Sequence, residues 1–399
     1  MMTKTIVGLG CLVLAAAAPA TAAATQPQAP AHKSAVLNAQ TWRPVAERVG
    51  YHLVSGVSAP DAGTAFVAGS RASTSLLRNF SGGRWITMPL GNGRYSGLSG
   101  VDALDSDDAW AFGGGTHRDH GTGVHTVTNH WDGHRWAEVP SGGVGRSQEM
   151  WLDGGAMTSA DDVWAVGTLQ LGEGYDYRSI IKHWDGTGWS RVPSPLPSEG
   201  YNALWAVDGL SADDAWAVGE TSEQDLSRPA LLHWDGNRWH KSAGAPPDGD
   251  LTDIDAVSPD DIWVVGDYFP EDTMRTFAMH WDGRSWTHVT TPNPFRNRHT
   301  ELLSVDAVGP DDVWAVGDVR TNDAEGPWYM ARTVIEHYDG TRWRLVQSPD
   351  PGSHYNGLVS VSMSSADDGW AVGLHADGDD PSKTVPLYLH WDGADWRRT

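Results

Sequence analysis

Apolar residues in this chain come in short runs broken by Asp, Gly, Ser and Asn, and no stretch keeps a 3.6-residue apolar period long enough for a substantial helix. The segment around residue 216 shows the pattern. Alternation over Leu204–Val207 predicts a first strand, followed by a turn at Ser211-Ala212-Asp213-Asp214. Ala215–Gly219 predicts a second strand, and a polar loop then runs to about Pro229. Ala230–Trp234 predicts a third, Asp235-Gly236-Asn237 a tight turn, and a fourth strand begins near Arg238 and Trp239. Branched and aromatic runs between Asp-Gly signals are the marks of antiparallel hairpins.

The same unit recurs. One motif, Asp-x-Trp-Ala-Val-Gly or a close variant, stands at residues 108–113, 162–167, 214–219, 261–266, 312–317 and 368–373, with a divergent copy at Ala65-Phe66-Val67-Ala68-Gly69. A second, His-Trp-Asp-Gly-x-x-Trp, begins at His130, His183, His233, His280 and His390. Tyrosine replaces the first tryptophan at His337-Tyr338-Asp339-Gly340, and Phe80-Ser81-Gly82-Gly83-Arg84-Trp85 is the first, divergent copy. The motifs alternate through seven units with a period of about 50 residues and use 19 of the 22 tryptophans, counting Trp42; only Trp151, Trp205 and Trp328 fall outside.

Short strands at this period predict an all-β fold, a seven-bladed β-propeller of four-stranded antiparallel blades. A lone unit cannot bury both of its apolar faces, whereas blades stacked about an axis cover one another. The repeated tryptophans are expected in the wedges between blades. Trp42-Arg43-Pro44-Val45 imitates the start of a fourth strand, so residues near Thr41–Val45 are expected to pair with the last blade, replacing its terminal strand or lying outside it.

The N-terminus modifies this picture. Lys4 precedes an apolar run from Ile6 to about Ala18, and small-residue sites follow at Ala18-Pro19-Ala20, Ala20-Thr21-Ala22 and Ala22-Ala23-Ala24. Residues 1–24 read as a signal peptide, 25–37 as a flexible Ala/Pro/Gln lead-in, and 38–399 as the propeller. The expectation is a secreted, extracellular monomer with no membrane anchor. The only cysteine, Cys11, lies in the leader, so the mature chain carries neither thiol nor disulfide. Its formal charge goes from −23 to −24 when Lys4 is removed, and there is no Lys/Arg cluster, which argues against nucleic acid and against unassisted docking on an anionic membrane.

At the paired motifs, as in Gly369-Trp370-Ala371-Val372-Gly373 followed by Trp391-Asp392-Gly393-Ala394-Asp395-Trp396, the sequence resembles propellers with Asp-box or related Trp-rich repeats, sialidase-like and photosystem-assembly-factor-like. More loosely it resembles the galactose-oxidase/kelch-like propeller. The resemblance implies structural hairpins at Asp132, Asp185, Asp235, Asp282, Asp339 and Asp392. It implies no carried-over chemistry. A galactose-oxidase copper site needs a cysteine, and no sialidase arginine triad can be placed in the sequence.

Connectivity assigns the stereotyped turns to one face and the variable loops, between strands two and three and between blades, to the other, where a rigid scaffold usually carries function. There Tyr95, Tyr175, Tyr177, Tyr201, Asn202, His299, Trp328, Tyr355 and Asn356 are the candidate ligand-binding residues. Aromatics beside amides and carboxylates suit a glycan, and nearly as well an extracellular protein. No cofactor is required. Calcium at Asp377, Asp379 and Asp380, and a transition metal at His117, Asp119 and His120, are the metal candidates, weighed against plain solvent-facing loops. The favoured function is noncatalytic binding, and the alternative is a polysaccharide-acting hydrolase or lyase that uses carboxylates on the same face. N-terminal sequencing of secreted material should find a first residue between about 21 and 25; an intact residue 1 or a lipidated Cys11 would overturn the leader.

Overall fold

The computed structural model describes residues 52–399 apart from 72–73, 91–95, 117–123, 143–147, 172–175, 224–225, 247, 271–272, 294–297, 322–329 and 379. Seven four-stranded antiparallel sheets follow one another along the chain, each with its strands in sequence order. We number these blades one to seven: residues 52–88, 96–138, 148–192, 202–241, 250–289, 298–345 and 356–398. The protein is an all-β, seven-bladed β-propeller.

The repeat motifs account for the way the blades pack. In each blade the aromatic of strand two inserts between two aromatics of the next blade. Trp110 meets Trp184 and Trp189 at ring-centroid distances of 5.1 and 5.2 Å. Trp164 meets Trp234 and Trp239, and Trp216 meets Trp281 and Trp286. Trp263 meets Tyr338 and Trp343, and Trp314 meets Trp391 and Trp396. The divergent blade one keeps the scheme in both directions. Phe66 lies against Trp131 and Trp136, and Trp370 of blade seven closes the ring on Phe80 and Trp85 at 4.6 and 4.9 Å. All seven inserted rings are buried to 4 % exposure or less.

Other motif residues hold those rings in place. The aspartate that opens strand two accepts a hydrogen bond from the histidine of strand three in six blades, for example His130 Nε2 to Asp108 Oδ1 at 2.7 Å and His233 Nε2 to Asp214 Oδ1 at 2.8 Å. The imidazole lies against the inserted tryptophan, with centroids 4.0 Å apart for Trp216 and His233. In blades four, five and six the same aspartate also accepts the indole N–H, as Asp214 does from Trp216 at 3.1 Å. The repeated histidines therefore serve packing and hydrogen bonding within each blade.

Two glycine positions have clear causes. In the Asp-Gly turns, Asp132 Oδ1 accepts the backbone N–H groups of His134 and Arg135, while Gly133 takes a φ of 82°. The other five Asp-box turns repeat this arrangement. The glycine ending Trp-Ala-Val-Gly lies opposite a β-bulge in the innermost strand. A Cβ on Gly219 would sit 2.2 Å from the Ala203 carbonyl oxygen, which leaves no room for a side chain.

One expectation changes on contact with the structure. Strands two and three run farther than their apolar cores: in blade four they span Asp214–Glu223 and Leu226–Trp234, so most of the expected polar loop before Pro229 is paired hairpin. Ladder hydrogen bonds continue after the apolar alternation stops. The fourth strand of blade seven is Trp396–Arg398, from the C-terminus. Thr41–Val45 lies outside the described residues, and each described sheet is built from consecutive strands.

Trp216→Ala should therefore cost about 3–5 kcal/mol, because it empties an aromatic wedge between blades four and five. Chemical denaturation of the variant and of His233→Ala, which removes only the supporting imidazole, should rank the first well above the second.

Candidate functional site

The innermost strands surround an axial cavity of 230 Å³. Each enters from the variable-loop face, and all seven carry a bulge at the same level, at Ser55, Ser99, Asp153, Trp205, Thr252, Leu303 and Val359. These seven residues line the cavity.

Nearer the turn face lies a second ring: Ser58, Asp102, Ala156, Asp208, Asp255, Asp306 and Ser362, each paired with the inserted aromatic of its own blade. Six of these side chains accept a backbone N–H from the next blade. Asp102 takes that of Met157 at 2.8 Å, Asp208 that of Ala256 at 2.7 Å, and Asp255 that of Ala307 at 3.0 Å. Asp306 takes that of Met363, and the serines Ser58 and Ser362 take those of Ala103 and Ala59. Ala156 has no acceptor to offer, and the Gly209 N–H it would have met bonds to Asp208 Oδ1 instead. Nothing in the sequence reading anticipated this ring. Its signal is an aspartate eight residues before the tryptophan in four blades, at Asp102, Asp208, Asp255 and Asp306.

Burial in the axis raises these carboxyls. Asp208 and Asp306 reach about 7, and Asp253, whose Oδ2 accepts the Val305 N–H, about 6. Asp153 is pushed to about 8, with hydrogen bonds from Thr168 and Trp151 opposing the rise. Asp102 is raised, and Asp255 lies well above the usual range, where the charges of Asp306 and Asp208 add to burial. The cavity lining holds six aspartates and no Lys, Arg or His.

The rim on the variable face has two unlike halves. On blades three and four, Trp151, Tyr177 and Tyr201 form an aromatic cluster with centroid spacings of 6.4 and 5.0 Å. Glu220, Asp153 and Asp250 are near enough to act electrostatically on the Tyr201 hydroxyl, whose acidity burial already suppresses. Trp151 fits because Gly114 of blade two leaves space, since a Cβ there would lie 2.7 Å from the Trp151 Cβ. Two of the three tryptophans outside the repeat, Trp151 and Trp205, thus occupy adjacent innermost strands at the axis.

On blades six and seven the rim is ionic. Arg320 is gripped by Asp318, from Nε at 2.8 Å and Nη2 at 3.1 Å, and by Glu301 through Nη2. Burial raises Glu301 to about 7 even against the guanidinium. Tyr355 lies beside Asp318 and is held well above the usual phenol range by burial. His299 accepts the Met274 N–H on Nδ1, and burial lowers it.

The predicted residues therefore separate. Tyr177 and Tyr201 come together, and His299 and Tyr355 lie in the ionic half. Asn202 and Asn356 are fully buried. The Asn202 amide donates to the Glu199 carbonyl and accepts from Thr221, and that of Asn356 bonds to Gly352 and Ala331. Tyr95, Tyr175 and Trp328 lie outside the described residues, as do His117, Asp119, His120 and Asp379. Among the described residues, no three His, Cys, Asp or Glu side chains are grouped so as to hold a metal ion, and no helix is long and apolar enough to cross a membrane.

No protein-family model and no curated protein matches the chain. Among solved structures it is similar to one titled "YCF48 bound to D1 peptide", with 14 % identity over 75 % of this chain and 80 % of that one and a TM-score of 0.46. At that distance the likeness concerns architecture alone, which the seven sheets establish by themselves.

The buried axial carboxyls imply a pH dependence of stability. Their folded values lie above the unfolded one, so their contribution is complete below about 4 and is lost as pH rises through about 6–8. Melting temperature should fall from pH 5 to pH 9. Asp208→Asn should flatten that slope, whereas Asp107→Asn, an equal charge change on an exposed turn, should leave it unchanged.

Proposed function

We propose that the protein is an exported, noncatalytic recognition module that binds a glycan through the rim of the axial channel on the variable-loop face. One observation carries this reading: Trp151, a tryptophan the blade repeat does not require, stands with Tyr177 and Tyr201 beside Asp153, Glu220 and Asp250. Sugars stack on aromatic faces and hydrogen-bond to carboxylates at their edges, and this half of the rim supplies both. The buried amides of Asn202 and Asn356 shape the rim by tying strand entries to neighbouring loops.

Catalysis is the less supported alternative. A glycoside-cleaving pair needs two carboxyls facing one another across a pocket with room for the sugar. One pair of rim carboxyls, Glu301 and Asp318, instead shares the Arg320 guanidinium, and neither lines the axial cavity.

The test is a glycan array probed with residues 25–399, followed by affinity measurements on Tyr177→Ala and Tyr201→Ala. Each truncation should weaken the best glycan about tenfold while melting remains far closer to the parent than for Trp216→Ala. Binding of a protein partner but no glycan, or equal loss of binding and folding, would overturn the assignment.

A further inference from the structure

Away from the rim and the axis, one buried carboxyl lies between two blades. Glu336 stands in the third strand of blade six, immediately before His337, and is 0 % exposed. Val334 and Tyr338, on the same face of that strand, pack with Trp263, Val265 and Ala278 of blade five, so Glu336 faces the seam between these blades. Leucine or methionine fills the equivalent place in blades four, five and seven, as Leu232, Met279 and Leu389. Blade three has a cation there. Lys182 donates across its own seam to Thr126 Oγ1 and to the Gly142 carbonyl, each at 3.1 Å, and to the Ser141 carbonyl. Glu336 receives nothing comparable, and neither of its carboxyl oxygens has a hydrogen-bond partner among the described residues.

The reason lies in blade five. Thr276 and Thr291 stand there where blade two has Thr126 and Ser141, and with Asn293 they close on themselves. The two hydroxyls are 2.8 Å apart, and Thr291 donates to the Thr276 carbonyl at 2.8 Å. The Asn293 amide donates to that carbonyl and to Thr291 Oγ1, and accepts the Thr276 N–H at 3.0 Å. No donor of this group is left for a carboxylate. The titratable groups facing the seam are also occupied. His280 is bonded to Asp261 at 2.8 Å, while Asp253 and Asp255 accept the N–H groups of Val305 and Ala307. Asp267 is buried two residues beyond Val265, and the Tyr338 ring lies 4.8 Å from that of Trp263. Beside Glu336 within blade six stand Ala315 and Leu345. None of these groups supplies a counter-charge, and burial alone raises the Glu336 carboxyl to about 8. We propose that the seam between blades five and six is a pH-sensitive joint of the ring, shut while Glu336 is protonated and loosened when it ionises. A buried carboxylate without cation or donor is too costly to keep, so ionisation favours a state in which water reaches it. Its closed-state value lies above the ordinary 4.5, so closure is fully favoured below about 4.5 and that advantage is lost as pH rises through about 8. The joint stands between the aromatic and ionic halves of the rim, and the inference does not rest on the glycan reading.

The test uses thiol labelling, because residues 25–399 contain no cysteine. Ala278→Cys places a buried thiol in the seam between blades five and six, and Ala217→Cys places one between blades three and four. Labelling rates of the two full mature chains are compared from pH 5.5 to pH 7.5. The rise in thiolate with pH, and any global unfolding, act on both reporters and cancel in their ratio. That ratio should increase about tenfold or more in favour of Ala278→Cys. Adding Glu336→Gln should hold it constant with pH. Glu336→Leu, the residue of blades four and seven at this place, should do the same and serves if the glutamine variant does not fold. A ratio that stays constant in the parent, or one that climbs equally with Glu336→Gln or Glu336→Leu in place, would overturn the proposal.

Discussion

The insertion of one aromatic ring per blade between two aromatics of the next is the interaction on which the molecule depends. An isolated blade has two apolar faces and cannot bury both. The inserted ring solves this for every blade at once, and the ring of blades closes only if the last insertion, Trp370 onto Phe80 and Trp85, is as good as the rest. The divergent copy in blade one shows what the geometry tolerates. Phe66 replaces an indole and Asn79 replaces the histidine, and the Asn79 side chain accepts the indole N–H of Trp136 at 3.2 Å. Shape is kept although the histidine–aspartate bond of the other blades is lost.

Nearer the axis a polar constraint takes over. Close to the centre the strands converge until side chains have little room, and at several positions only glycine or alanine fits. A Cβ on Gly154 would sit 2.7 Å from the Trp205 carbonyl oxygen. Backbone N–H groups facing the next blade still need acceptors, because a buried donor left alone costs as much as a lost hydrogen bond. Aspartate and serine at one level of the inner strand provide them. The consequence is a group of carboxyls crowded into a cavity without cations, so the same groups that join the blades carry raised proton affinities.

Architecture and site therefore come from different residues. The repeat occupies the wedges and the turn face, where every blade must do the same thing. Residues that break the repeat gather on the opposite face and at the axis. Trp151 and Trp205 occupy innermost strands, Arg320 is held by Glu301 and Asp318, and the Tyr177–Tyr201 contact bridges blades three and four. The proposed glycan rim uses these departures.

The sequence by itself determined the blade number, the four-stranded pattern and the Asp-Gly hairpins. Each is written in local spacing, and a motif recurring about every 50 residues leaves few alternatives. It also identified the variable face, since connectivity alone assigns the loops. Tertiary structure alone decided which side chains meet. Asp208 and Ala256 are 48 residues apart in the chain and 2.7 Å apart in space, and no local pattern announces that bond. Asn202, a plausible ligand contact from its place at a strand entry, proves fully buried, with Thr221 and Glu199 using its amide. Inter-blade partners are set by the rotation between sheets, a global property of the closed ring, whereas hairpins are set by neighbours a few residues away.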